Sequence, residues 1–236
     1  MFQTSPAFLF VRDLLEGTYN RLKQNAFWRV IESATYMLVF MKSFNVLKGT
    51  SVLAVMSVLF HEDGSASTYS DPHSYFFEAD DTIPNNRFPL LVYQDAFHRR
   101  GEEGATWLEK HFNSNNWSNS WRSNIYSFQH YHSNVHEVLG CYKGEALLLM
   151  GGAHGEKIAV QAGDIVVIPA GVGHRCLEQS ADFMVVGAYP NGASADLMKG
   201  EKGERPAADK RIAEVAIPDK DPLTGERDGL RSLWIP

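Results

Sequence analysis

"HYHSNVHEVLGCYKG", residues 130–144, places three of the chain's nine histidines and a glutamate within eight consecutive positions. Two scaffolds compete to explain that density. On a strand, successive side chains alternate faces, so His130 and His132 aim two imidazoles into one space. The run "IYSFQHYH", residues 125–132, adds Tyr126 and Phe128 to the same face. After a short bend Glu137 opens a second strand-like run, from which a carboxylate can turn back towards the two nitrogens. On a helix, "HEVLG" would imitate the zinc-protease pattern of histidine, glutamate and second histidine. That pattern needs its second histidine where Gly140 stands. The β-branched and aromatic neighbours, followed by "GCYKG", also disfavour a helix.

A third imidazole comes from "GDIVVIPAGVGHRCLE", residues 163–178. A turn glycine leads into a strand, Pro169 ends it, and Gly171 and Gly173 allow the reversal that carries His174 onto the next strand. Alternation then groups His174, Cys176 and Glu178 on one face. Three neutral imidazoles and one carboxylate suit one divalent transition metal ion, Fe, Mn, Ni or Zn, and the donor set does not choose among them. The competing explanation is a group of core residues satisfied by hydrogen bonds without a metal. His136 is expected to point elsewhere from the bend, outside the ligand set or towards solvent. His98, His111 and His154 read as solvated. Tyr126 and Phe128 read as inward packing, or as walls of a substrate pocket. Arg122 reads as an anchor for a substrate carboxylate or as half of a packed surface pair with Trp121.

The bulk composition excludes several classes. A net charge of −6, with no basic cluster beyond "HRR" at residues 98–100, does not fit a phosphate-backbone binder, so nucleic acid is not an expected partner. The two cysteines, Cys141 and Cys176, form no CxxC pair, so neither a disulfide framework nor a zinc ribbon is indicated. Both read as small inward hydrophobes in a reducing, cytoplasmic compartment. No GxSxG elbow exists and Cys176 carries no activation signature, which argues against a nucleophilic hydrolase. The apolar segment at residues 35–60 is interrupted by Lys42, Asn45, Lys48 and Gly49. Its longest apolar run, Val52 to Phe60, falls short of the about 18 residues a bilayer requires. Asp13 and Glu16 stand where a signal peptide would be basic or apolar.

Residues 11–31 have the spacing of an amphipathic helix, and residues 61–81 read as a linker. The organisation expected is an N-terminal extension and linker at 1–71, partly helical, a β domain at 72–190 and a C-terminal extension at 191–236. The β domain shows short β-branched and aromatic runs: "FPLLVYQ", "IYSFQHYH", "EVLGCY", "EALLLM", "KIAVQ", "DIVVIP", "HRCLE" and "DFMVVGAY". Turn signals separate them, as in a sandwich, jelly roll or barrel. One short helix is predicted at about Ala105 to Phe112. Trp234 is expected to dock the C-terminal extension on the barrel.

Together these residues resemble the cupin family. Its first motif is met by His130, His132, Glu137 and Gly144 at the family spacing, with Asn124 where a glycine leads; asparagine tolerates the left-handed backbone expected there. Its second motif is met by Gly163, Pro169, Gly171 and His174, with Glu178 in place of asparagine. "TIPNN", "WRSNIYSFQHYHSNVHEVLGCYKG" and "VVGAYPNG" look like a group of small, largely uncharacterised single-domain cupins of bacteria and fungi. The resemblance runs from about Tyr75 to the end. It implies an all-β double-stranded β-helix, a small jelly roll, with a divalent metal on His130, His132, Glu137 and His174. A site charge of about +1 then favours a small, anionic or chelating ligand. Two functions follow: a metalloenzyme on a small organic acid (dioxygenase, decarboxylase or isomerase), or a non-catalytic metal-bearing ligand-binding or sensing module. Family habit also implies a homodimer.

Overall fold

The computed structural model describes residues 69–235. The helix expected at 11–31, the apolar segment at 35–60 and the first part of the linker lie outside the described residues. Among the described residues no helix is long and apolar enough to cross a membrane.

Among the described residues nine strands form two antiparallel sheets. They are β1 (His73–Tyr75), β2 (Leu90–Tyr93), β3 (Trp117–Ser123), β4 (Glu137–Lys143), β5 (Glu145–Met150), β6 (Glu156–Gln161), β7 (Ile165–Ile168), β8 (His174–Gln179) and β9 (Met184–Pro190). The larger sheet runs β1-β2-β7-β4-β9-β3 and the smaller β6-β5-β8. Helices α1 (Gly101–Ser114), α2 (Ala207–Glu214) and α3 (Leu230–Leu233) complete the described secondary structure. This is the double-stranded β-helix, a small jelly roll, expected from the sequence.

The larger sheet is covered on both faces, which explains why its strands read as nearly continuous apolar runs. In β7 all four residues of "IVVI" are buried. Val166 and Ile168 pack inward with Leu139, Cys141, Leu148, Cys176 and Val185 between the two sheets. Ile165 and Val167 pack outward with Val138, Val186 and Ala188 against Ala105, Leu108 and Phe112 of α1. Helix α1 brings those three residues to one face by their spacing of three and four. Gly140 of β4 lies beneath it: a Cβ there would stand 2.6 Å from Leu108 Cδ2 and 3.1 Å from Phe112 Cζ. The same outward layer holds Trp234, which stacks on Phe88 at 5.5 Å and donates from Nε1 to the Pro89 carbonyl at 2.9 Å. The fully buried Asp221 accepts from Tyr93 Oη and from the backbone N–H groups of Leu223, Thr224 and Leu230.

Several local expectations change. Part of the expected linker is strand β1, paired with β2. Helix α1 starts a turn earlier than Ala105, with Glu102 and Glu103 in its first turn, where carboxylates meet the positive end of the helix dipole. Strand β3, "WSNSWRS", escapes the apolar pattern because it is an edge strand, bulged between Ser118 and Trp121, and edge strands are kept polar. "IYSFQHYH" is not a regular strand: His130 and Tyr131 make only isolated bridges, to His174 and Met198. Asn124 is not among the left-handed residues; Asn119, inside the β3 bulge, is, with φ 54°.

Candidate metal centre

The two cupin motifs meet where residues 130–132 cross the start of β8. His130 and His174 exchange backbone hydrogen bonds, N–H to carbonyl, at 3.2 and 2.8 Å. The Pro169–His174 turn is held to the same segment by the Gly171 N–H, which donates to the His132 carbonyl at 2.7 Å. His130, His132 and His174 are buried, and their nitrogens cluster within 4.8 Å of one another. Glu137, the first residue of β4, reaches the cluster through Oε2, 3.5 Å from His132 Nε2 and 3.3 Å from His174 Nε2. The structure thus brings the three expected histidines together and sets Glu137 against two of them.

Each of the three imidazoles is oriented through Nδ1. His130 Nδ1 faces the Phe128 carbonyl at 3.2 Å, His174 Nδ1 the Val172 carbonyl at 3.1 Å, and His132 Nδ1 the Asp196 carbonyl. A carbonyl only accepts, so Nδ1 carries the proton and the Nε2 lone pair is left for the cluster. This is how metal-binding imidazoles are commonly held, and with Glu137 the donor set fits a divalent first-row ion. Asp196 belongs to the C-terminal extension and is itself fixed by the backbone and hydroxyl of Ser133.

Electrostatics follow from burial. Loss of water pushes His130 down to about 3, with the neighbouring His174 adding to the fall. Burial would lower His132 too, but its contacts with Glu137 and the Asp196 carbonyl outweigh it and raise the value. Burial would raise Glu137, yet His132 and His174 hold it well below the usual carboxylate range. Without an ion the carboxylate is therefore ionised, an anionic partner ready for a cation.

The other candidates separate clearly. His136 is neither surface-exposed nor part of the cluster. Alternation sends it to the outward face, where the Ala170 N–H donates to its Nδ1 at 2.9 Å and its ring lies 4.7 Å from Trp234. Burial pushes it down to about 4. Of the three histidines expected in solvent, His98 and His154 are exposed but His111 is half-buried, stacked on Trp107 at 4.5 Å with Nε2 at 2.8 Å from the Leu223 carbonyl. Arg122 also points outward, where Glu109 takes its Nε and Nη2 at 2.7 Å and Glu102 its Nη1 at 2.7 Å. The pair with α1 occupies this guanidinium, so it is not the expected substrate anchor. Tyr126 and Phe128 are not core: they are 54% and 40% exposed, because the segment leaves the sheet there and lies along the rim of the site. Their rings stack at 4.7 Å, Tyr126 lies 5.2 Å from His130, and the Lys199 ammonium sits 5.2 Å from the Phe128 centroid. Asp196 and Lys199 carried no local signal in the sequence, since their partners lie more than sixty residues away in the chain.

No family model matches the chain. YjlB, an uncharacterised protein of Bacillus subtilis, is 44% identical over 166 residues, taking in 70% of this chain and 98% of that protein. Among solved structures, a predicted oxalate decarboxylase from Thermotoga maritima is 13% identical, with 52% of this chain and 95% of that one covered at a TM-score of 0.27. An uncharacterised conserved protein with a double-stranded β-helix domain from Klebsiella pneumoniae is 15% identical, with 59% and 95% covered at a TM-score of 0.27. At such TM-scores neither superposition bears on what the site does; strand pairing and the two motifs carry the fold.

Proposed function

This chain is a cupin of the family that includes YjlB of Bacillus subtilis, and on that premise we propose that it is a metal-dependent enzyme acting on a small organic acid or related metabolite. One observation carries the reading: three buried imidazoles, each pinned through Nδ1 by a different backbone carbonyl, turn their Nε2 atoms on one point beside an ionised carboxylate. His130, His132, Glu137 and His174 would hold one divalent ion, Fe, Mn, Ni or Zn. A bound ion supplies Lewis acidity towards substrate oxygens, and dioxygen chemistry as well if it is iron.

The rest of the work falls to the protein. Glu137 cancels one of the ion's two charges, so the site keeps about +1 and attracts an anion. Lys199 at the rim adds a second positive charge. Tyr126 and Phe128 offer exposed ring surface beside His130 for the apolar part of a ligand. The buried core beneath Glu137 excludes water from the inner side of the cluster.

The test is elemental analysis of protein purified without a metal-affinity tag, followed by turnover and oxygen-uptake assays with keto, hydroxy and thiol acids. The expected result is close to one first-row metal per chain and turnover of at least one acid. Absence of any stoichiometric metal overturns the proposal. Metal without turnover replaces the enzyme by a ligand-binding or sensing cupin.

A further inference from the structure

The "VVGAYPNG" run, residues 185–192, holds none of the four expected ligands. Its placement gives it work at the site. In the register of β4 with β9, Val138 stands opposite Ala188. The next position of that antiparallel pairing sets Glu137 opposite Tyr189, and side chains directly opposed on adjacent strands are in reach of each other. Val185 packs inward, so by alternation Gly187 and Tyr189 also face the space between the sheets.

Gly187 is empty for a reason. Trp121 of β3 stands opposite it, and a Cβ on Gly187 would run into the indole ring. The indole therefore lies flat on β9 and extends its Nε1–H to Tyr189 Oη at 2.9 Å. An indole N–H is only a donor, so the phenolic oxygen is the acceptor in that bond and its own proton is directed elsewhere. Tyr189 is buried, its ring standing edge-on to His132 at 6.1 Å. Across the strand pair, the register sets the Glu137 carboxylate beside this phenol, and Oε2 of that carboxylate faces His132 and His174. A phenol whose oxygen already accepts one hydrogen bond still has its own proton to donate.

We propose that Tyr189, backed by Trp121, donates its phenolic proton to Glu137 and is the positioning residue that presents this carboxylate to the three imidazoles. The assignment rests on the metal-centre reading. It names a device that the histidine motif does not contain: a carboxylate free to rotate about its last bond is held in one orientation before an ion arrives, and such supports commonly set metal affinity.

Co(II) is the probe, because its visible spectrum reports the arrangement of its ligands. Wild type, Tyr189→Phe and Trp121→Phe are stripped of metal, checked by far-ultraviolet circular dichroism and titrated with Co(II) against a competing chelator. Tyr189→Phe is expected to fold as the wild type does, to bind Co(II) about 10- to 100-fold more weakly and to show a shifted visible band. Trp121→Phe, which keeps the phenol but loses its N–H donor, is expected to lie between the two, and it decides the matter should Tyr189→Phe misfold. A Tyr189→Phe protein with wild-type affinity and spectrum overturns the assignment alone. A wild type that takes up no Co(II) overturns the metal reading and the assignment with it.

Discussion

Gly140→Ala adds a single methyl group at the place where helix α1 meets β4. The new Cβ would stand 2.6 and 2.8 Å from the two methyls of Leu108 and 3.1 Å from the edge of Phe112. Leu108 and Phe112 are both fully buried, so neither can swing into solvent. The helix must lift, or Leu108 must leave its rotamer. Overpacking of this kind costs about 1 to 3 kcal/mol. Alanine recovers about 0.5 to 1 kcal/mol by losing less backbone freedom than glycine on folding. The net destabilisation expected is about 0 to 2.5 kcal/mol, about 1 kcal/mol at mid-range, a fall of up to about 10 °C in melting midpoint at this chain length. Urea denaturation followed by circular dichroism measures it directly. Combining the change with Leu108→Ala sharpens the test. That variant alone opens a cavity worth about 2 to 5 kcal/mol, which the methyl group added at position 140 would partly fill. The double variant should be less destabilised than the sum of the two. A Gly140→Ala protein more stable than the wild type, or strict additivity of the pair, would refute the packing argument.

Three further outcomes follow from the same structure. Mn(II) at about 100 times its dissociation constant should stabilise the fold by about 2.7 kcal/mol, and His132→Ala should abolish that rise in a thermal-shift assay; an equal rise in both would remove His132 from the ligand set. His111 has its value lowered by burial against the pull of the Leu223 carbonyl, so below its unfolded value of about 6.5 the unfolded chain binds the proton more readily, and stability present above that pH is lost on acidification. Denaturation from pH 7.5 down to 5 should accordingly show a shallower acid decline in His111→Gln, and an unchanged slope would contradict this. Trp234→Phe keeps the stack on Phe88 but orphans the Pro89 carbonyl, for about 1 to 3 kcal/mol, whereas Trp234→Ala should cost about 3 to 5 kcal/mol; chemical denaturation showing the reverse order would undo the assigned docking.

Much of the centre was legible because its chemistry is written in short spacings. His130 and His132 stand two apart in a stretch held by isolated bridges, so their side chains share one side as they would on a strand, and Pro169 to His174 is a turn; local rules suffice to read both. Strands β4, β7 and β9 were legible for a related reason: they are inner strands of the larger sheet, covered on both faces, and had to be apolar. Strand β3 was not, because an edge strand draws its residues from the polar set. His136 points away from the ligands, as its place next to Glu137 implies, but into the fold and not into solvent. Alternation from Glu137 places it on the opposite face, and that face is also buried, beneath Trp234. The supports of the site are set by pairing across the fold and not by local spacing. Asp196 reaches His132 across the fold, and Tyr189 meets Glu137 only once β4 and β9 pair.

The two thiols of the inner core offer an experimental opening. Cys141 and Cys176 are buried between the sheets; burial pushes the first up to about 12 and raises the second as well, so both are poor nucleophiles at neutral pH. The whole chain has no other cysteine. Lys199→Cys would therefore introduce a single reactive handle at the rim of the histidine cluster, ready for a spin label or fluorophore without any prior removal of native thiols. Distances from such a label to a paramagnetic ion would then map the centre in solution, by a route that needs neither a substrate nor a crystal.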